Sequence, residues 1–264
     1  MARSQCLFKF SLFVAEKSIM IKKTIALFLL LGLWQLGVTI LEIPVYILPA
    51  PTVIAGSLMT HHMLLLKHIF ISAAEIIIGL SVAVLLGGLS AILIDYFDRL
   101  KPLITPILLT LQSTPPFVLM PLLLLWCGFG FTPKLIVICL SCYFPITVCL
   151  LDGLKRSPSN WLDMATIMGA NKKATLRFIR LPAALPCLMS GVRLAAIHAP
   201  LTVLAADWIG ASSGLGYLIM LSHGRLQIEL MFACIVCITL MTFALNKGVT
   251  LLEKKLVFWP SNTL

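Results

Sequence analysis

Charge is scarce in this chain. Only 11% of its 264 residues are Asp, Glu, Lys or Arg, against about 25% in soluble globular domains. The hydrophobic fraction is 60% and the mean hydropathy +1.05, so a water-soluble domain is excluded and the relevant solvent is lipid. The polar constellations of an enzyme are missing too. No G-x-x-x-x-G-K-[ST] phosphate loop and no H-E-x-x-H set occurs, which excludes ATP hydrolysis and zinc-protease chemistry by the chain itself. His61, His62 and His68 have no carboxylate at ligand spacing and read as surface histidines of an outside loop. The net charge of +10 comes from basic residues set between apolar runs, with no basic stretch interleaved with stacking aromatics, so no nucleic-acid partner is implied. Eight cysteines are present, but Cys139, Cys142, Cys149, Cys234 and Cys237 fall inside apolar runs. The spacings Cys139/Cys142 and Cys234/Cys237 lack His or carboxylate companions, so no metal site is expected and the thiols read as small packing residues.

What is abundant is apolar length. Runs at Thr24–Leu41, Ile69–Ile94, Leu103–Phe131, Leu135–Leu151, Pro186–Ala206 and Ile228–Val249 predict an all-α polytopic protein of about six membrane spans, since a helical span needs about 20 mostly apolar residues. The third run is interrupted by Gln112-Ser113-Thr114-Pro115-Pro116, which reads as two helical pieces meeting at a kink. Irregular backbone at that depth must be shielded by protein or face a wet cavity. Residues 1–23 form an N-terminal segment. Within it Met20-Ile21-Lys22-Lys23 looks like a natural start, so residues 1–19 are either an over-extended beginning or a short surface helix with Lys9 and Lys17 among head groups. No cleavable signal is expected.

Orientation follows from the basic residues. With alternating sides, the predicted inside segments hold five before the first run, Arg99 and Lys101 after the second, six from Lys155 to Arg180, and Lys247, Lys254 and Lys255 near the end. The outside segments hold only Lys67, Lys134 and Arg225. Both termini, the tail 252–264 and the long loop 152–185 are therefore expected in the cytoplasm.

That loop runs past the length needed to join two spans. Trp161–Met168 reads as a short helix with apolar residues at helical spacing, and Gly169 supplies a left-handed turn. An amphipathic segment follows over Ala174–Leu181, which Pro182 and Pro186 are expected to end. Here the chain resembles the binding-protein-dependent importer permeases, whose cytoplasmic signature is E-A-A, three residues, G, nine residues, I, one residue, L-P. The matching positions are Asp163-Met164-Ala165, Gly169, Ile179 and Leu181-Pro182. Asp163 stands for the usual Glu and Met164 for the usual Ala.

Similarity to one branch of that family, the sulfonate, taurine, nitrate and thiamine-precursor permeases, extends over Leu48–Leu252. It is carried by Leu48-Pro49-Ala50-Pro51, Gln112-Ser113-Thr114-Pro115, Trp126-Cys127-Gly128-Phe129-Gly130, Leu151-Asp152-Gly153-Leu154 and Gly210–Tyr217. Asp207-Trp208-Ile209-Gly210 and the stretch from Arg225 to Ala233 look most like permeases for the pyrimidine precursor of thiamine. The resemblance implies a type I ABC importer permease fold with a core at 69–251, in the bacterial inner membrane. It further implies a second permease copy, two separate ATPase subunits that carry the ATP and Mg, and a periplasmic or lipid-anchored binding protein. Asp163, Ala165, Gly169, Ile179, Leu181 and Pro182 would couple to the ATPase, and no cofactor is bound by this chain. Taurine, aliphatic sulfonate or nitrate is the alternative cargo. A channel or ion-coupled carrier is the competing class, but it predicts internal repeats with paired broken spans, which are not evident.

Ionisable groups at membrane depth cost roughly 2.5–3.5 kcal/mol on insertion scales and mark candidate pathways. Glu75, Arg193 and His198 qualify. Glu75 is expected to pair with Arg193 or to line the path, and His198 to meet the solute or to pack through a hydrogen bond. Gln112 lies at the break in the third run. Asp207 and Trp208 close the fifth span at its outer face, where Trp208, like Trp126, reads first as an interfacial anchor and second as a platform for a flat solute. Gly79, Gly87 and Gly88 permit close helix approach, within a subunit or between copies.

Overall fold

The computed structural model describes Lys22, residues 25–97, Arg99, residues 101–112 and residues 114–257, without the side chains at 105, 109, 111 and 112. The expectations for residues 1–19, for the start at Met20 and for the last part of the tail lie outside the described residues. The described residues form helices α1 (Ile25–Ile40), α2 (Pro51–Thr60), α3 (His62–Tyr96), α4 (Lys101–Gln112), α5 (Met120–Cys127), α6 (Phe131–Lys155), α7 (Ser159–Ile167), α8 (Lys172–Thr175), α9 (Leu181–Gly210), α10 (Leu215–Gly224) and α11 (Ile228–Leu256). Four helical stretches are long and apolar enough to cross a membrane: α3, α6, α11 and the stretch Lys172–Gly210 that contains α9. Helix is the economical answer in lipid, because each backbone N–H and C=O is satisfied within its own segment.

The first and third expected spans are met by shorter pieces. Helix α1 covers the first. The third breaks as expected: α4 stops at Gln112, Pro115 is extended (φ −61°, ψ 119°), a 3₁₀ turn spans Pro116–Leu119 and α5 follows. Two adjacent prolines lack amide donors, and each pushes the residue before it out of the α region.

The expected stop at Pro182 and Pro186 is corrected by the structure. Helix runs without interruption from Lys172 to Gly210, with Pro182 in the first turn of α9 and Pro186 inside it. For Pro182 the accommodation is a π turn over Leu176–Arg180, whose wider winding makes room for a pyrrolidine ring that would clash with the carbonyl four residues back in an α-helix. The long loop is correspondingly shorter than expected, since α6 continues to Lys155.

The described residues divide into two compact units, those up to 62 with 222–233, and 63–221 with 234–257. In the first, Gln35 Oε1 accepts from the Thr52 amide and hydroxyl, each at 3.3 Å, and Trp34 lies 6.1 Å from Phe232. The core of the second is built from small residues. A Cβ at Gly153 would stand 2.6 Å from Cys187 Cβ, and one at Gly191 2.8 Å from both Cys149 Cβ and the Pro145 carbonyl, so α6 and α9 approach at backbone distance. Gly79 and Gly87 do the same for α3 against Ile138 and Thr147 of α6, whereas Gly88 has open space. The first two glycines thus serve packing within the subunit. Ile76, Ile138, Ile146, Met189, Ala195 and Ala199 fill the space between.

Candidate functional site

Helix α7 presents the signature residues. It ends on a Schellman turn: Ala170 N–H donates to the Ala165 carbonyl at 2.9 Å and Gly169 N–H to the Thr166 carbonyl at 3.0 Å, with Gly169 at φ +74°. Glycine is required there because the left-handed region penalises a Cβ. Ala165 is buried beneath the helix, while Asp163 is exposed. Several exposed side chains are apolar, with Met164 64%, Ile167 87% and Met168 78% exposed, beside exposed Ser159, Asn160 and Thr166. Met164, Ile167 and Met168 fall at i, i+3 and i+4, one side of a helix, and Lys172, Lys173 and Arg177 are exposed a few residues further on. Beyond the turn, Asn171 Oδ1 caps α8 by accepting from the Ala174 amide at 2.8 Å. Ile179 and Leu181 are half-buried and Pro182 exposed.

This segment is riveted to the spans. Arg180 Nη2 donates to Asp95 Oδ1 at the end of α3 at 3.0 Å, and Nη1 lies 2.6 Å from Oδ2 as an ion pair, a charge-assisted pairing. Nη2 also donates to the Leu154 carbonyl of α6 at 2.9 Å. Lys101 sits 3.1 Å from Asp95 Oδ1, and Lys172 Nζ donates to the Tyr96 carbonyl at 2.7 Å. Asp95 and Lys101 were not singled out by sequence reasoning, although a carboxylate at the end of an apolar run was the available signal.

The far ends of the same helices hold a second cluster, which corrects three expectations. Lys134 is not in an outside loop; it is buried in the first turn of α6, ion-paired with Glu75 of α3 and 3.0 Å from Asp207 Oδ1 of α9. Glu75 therefore pairs with Lys134 and not with Arg193, whose partner is Glu253 of α11. His68 is no surface histidine, being buried with its Nδ1 accepting from the Gly214 amide at 3.1 Å. Gly214 (φ +112°) brings the loop so close that a Cβ would meet Asp207 Oδ2 at 2.3 Å. Ser72 Oγ accepts from the Leu215 amide at 2.8 Å, and Asp207 Oδ2 from the Gly216 amide at 3.1 Å.

Between the two ends lies a cavity of about 180 Å³ lined by Pro116, Ser141, Phe144, Pro145, Leu194 and His198. Pro145 cannot donate to the Ser141 carbonyl one turn back, which leaves a backbone acceptor at membrane depth where the cavity opens. Ser141 and Thr202 share a hydroxyl hydrogen bond of 2.9 Å. Of the expected path residues whose side chains are described, His198 alone lines this cavity. Glu75 and Asp207 lie in the distant cluster and Arg193 beside Glu253. Trp126 and Trp208 are exposed on α5 and α9. Gln112 ends α4, and its side chain lies outside the described residues. Among the described residues no group of His, Cys, Asp and Glu is arranged to hold a metal.

Four helical stretches long and apolar enough to cross a membrane define a multi-pass membrane protein. Residues 83–258 match the family model described as "Binding-protein-dependent transport system inner membrane component", and the chain belongs to that family. It is similar to a probable ABC transporter permease of Haemophilus influenzae, 36% identical over 86% of this chain and 92% of that protein. The riboflavin transport permease RibX of Chloroflexus aurantiacus is 30% identical over 90% of each chain, and the formylaminopyrimidine transport permease ThiX of Halalkalibacterium halodurans 30% over 75% and 79%. An inward-facing structure of the MetNI methionine ABC transporter shares the fold, with a TM-score of 0.65, 17% identity and coverage of 75% of this chain and 98% of that one. The chain is thus the non-catalytic, multi-pass inner-membrane permease subunit of an ABC transporter, and ATP is hydrolysed by a separate subunit.

Proposed function

We propose that α7, with Asp163 through Pro182, is the cytoplasmic coupling segment of a homodimeric importer served by two ATPase subunits and a binding protein, and that the cargo is a small flat heteroaromatic solute, the thiamine-precursor pyrimidine first. The carrying observation is the exposed Met164, Ile167 and Met168 on a capped helix, whose spacing to Gly169 and Leu181-Pro182 follows the family signature. The charge distribution supports the cytoplasmic side for that end. ATP binding must favour one of two global states through differential contacts, and this patch supplies them. A push on α7 reaches the spans through the hydrogen-bonded turn at Gly169, beyond which helix is unbroken from Lys172 into α9 and Arg180 ties the segment to α3 and α6. Helix α9 then carries His198 and Leu194 at the central cavity.

The cargo assignment draws support from the ThiX relative and from the cavity, where Phe144 and the faces of Pro116 and Pro145 offer flat apolar walls with Ser141 and His198 as hydrogen-bonding groups. The taurine permease TauC of Escherichia coli, 28% identical over 87% of this chain, names the competing cargo. Uptake of labelled formylaminopyrimidine and of taurine by cells expressing the chain with its partners tests the choice. Uptake of the pyrimidine alone is expected, and taurine uptake alone overturns the assignment. Uptake into liposomes by this chain without an ATPase overturns the coupling.

A further inference from the structure

A long apolar groove runs down the face of α9 that is turned away from the central cavity. Leu194 and His198 line that cavity, whereas Leu185, Leu188, Met189 and Val192 line the groove, on the roughly opposite side of a helix with 3.6 residues per turn. Its other walls come from residues 77–85 of α3 and 244–256 of α11, and its volume is about 800 Å³. Ser81 is the one polar side chain in the lining, and its Oγ donates to the Ile77 carbonyl at 2.7 Å. The wall therefore leaves no hydrogen-bond donor in want of a partner. Gly248 lies in this wall, and a Cβ there would meet no described atom within 4 Å. Glycine weakens a helix interior, yet no described residue uses the space that it leaves.

The groove is one leaflet deep. From Ala244 to Leu256, α11 rises about 18 Å at 1.5 Å per residue, close to the roughly 15 Å that is half of a bilayer's hydrocarbon core. A spanning helix of a second copy would need the full thickness, but the lining stops at Ile77 and Ala244 while α3 and α11 continue to His62 and Ile228. An acyl chain entering from the end that carries α7 fits the observed length. At that end Leu252 and Leu256 belong to the wall, and Lys254 and Lys255 are exposed in the last turn of α11. Lys255 falls at i+7 from Gly248, on the same side of the helix, and a lysine stem lies along apolar surface while its ammonium reaches the head groups. Glu253, the acid beside them, is already ion-paired with Arg193 of α9. The mouth of the groove is thus cationic, the complement of an anionic head group.

We propose that this groove is the binding site of one anionic phospholipid from the leaflet on the α7 side, with an acyl chain along Val192 and Gly248 and the phosphate at Lys254 and Lys255, which fills the seam between α3, α9 and α11. The test is native mass spectrometry of the full-length protein in detergent with phosphatidylglycerol or phosphatidylcholine of identical acyl chains, and the unfolding midpoint of the same samples. Phosphatidylglycerol should be retained about tenfold more tightly than phosphatidylcholine and should raise the midpoint by several degrees. Lys254→Ala combined with Lys255→Ala should bind the two lipids equally. Gly248→Leu puts a side chain into the groove where no described atom opposes it, and should retain neither. Should Gly248→Leu fail to fold, the lysine pair, at exposed positions, still reads the head-group contact. Equal retention of both lipids by the wild type, a preference that survives removal of both lysines, or unchanged lipid binding in Gly248→Leu each overturns the proposal. A dimer that Gly248→Leu converts to a monomer while lipid is still retained assigns the groove to a second copy and overturns it as well.

Discussion

Asp95→Ala probes the link between the docking segment and the spans. Asp95 is fully enclosed; its Oδ1 accepts from Arg180 Nη2, and it is ion-paired with Arg180 Nη1 and with Lys101. Removing one partner of a buried pair costs about 3–5 kcal/mol. The stranded cations are not fully buried, however, since the Arg180 and Lys101 side chains keep 19% and 30% of their exposure. Partial rehydration brings the expected loss to about 2–3 kcal/mol, a fall in the midpoint of about 4–12 °C. The docking face of α7 is untouched, so the ATPase should still copurify. Motion at α7 is no longer passed squarely to α3, so uptake should fall while ATP hydrolysis becomes insensitive to binding protein and solute. Arg180→Lys keeps the charge and loses the fork, and should give a milder version of both effects. An Asp95→Ala protein with an unchanged midpoint and full, solute-stimulated transport would refute the reasoning.

Other substitutions test other parts of the account. Gly153→Val places a Cβ 2.6 Å from Cys187 Cβ, so α6 and α9 must part, and overpacking of this kind costs about 1–3 kcal/mol; the midpoint should drop, with partial recovery in Gly153→Ala combined with Cys187→Gly. Lys134→Met strands Glu75 and Asp207 together at membrane depth and should cost about 3–5 kcal/mol, seen as loss of folded protein on size-exclusion chromatography. Gly169→Val forces a β-branched residue to φ +74° at about 1–3 kcal/mol of local strain, which should weaken ATPase copurification more than global stability.

The helices were legible because lipid imposes one rule, and the broken third span was legible from Pro115-Pro116. Helix α7 was legible too: Trp161–Met168 and Gly169 gave both the helix and its left-handed stop, and α7 with its Schellman turn bears them out. Pro182 and Pro186 misled because their usual reading assumes α winding throughout, and a π turn is decided by packing that no local pattern announces. Charge partners were the least legible. Glu75 and Arg193 looked complementary as the charges evident inside the runs, whereas Lys134 lay just ahead of its apolar run and read as loop. Only the depth at which α6 begins turns it into the partner of Glu75 and Asp207. Exposed Met164 carries a similar lesson, since a departure from the signature lies exposed with Ile167 and Met168.

The central claim is that α7 is the surface through which an ATPase drives this permease. It is tested most directly by copurifying the ATPase with wild-type chain and with Ile167→Asp, which puts a charge at the most exposed apolar position of that face without touching the Schellman turn or Asp95. The account predicts that the variant folds with a wild-type midpoint, loses the ATPase and loses uptake. Retention of a stoichiometric ATPase with undiminished transport would contradict it.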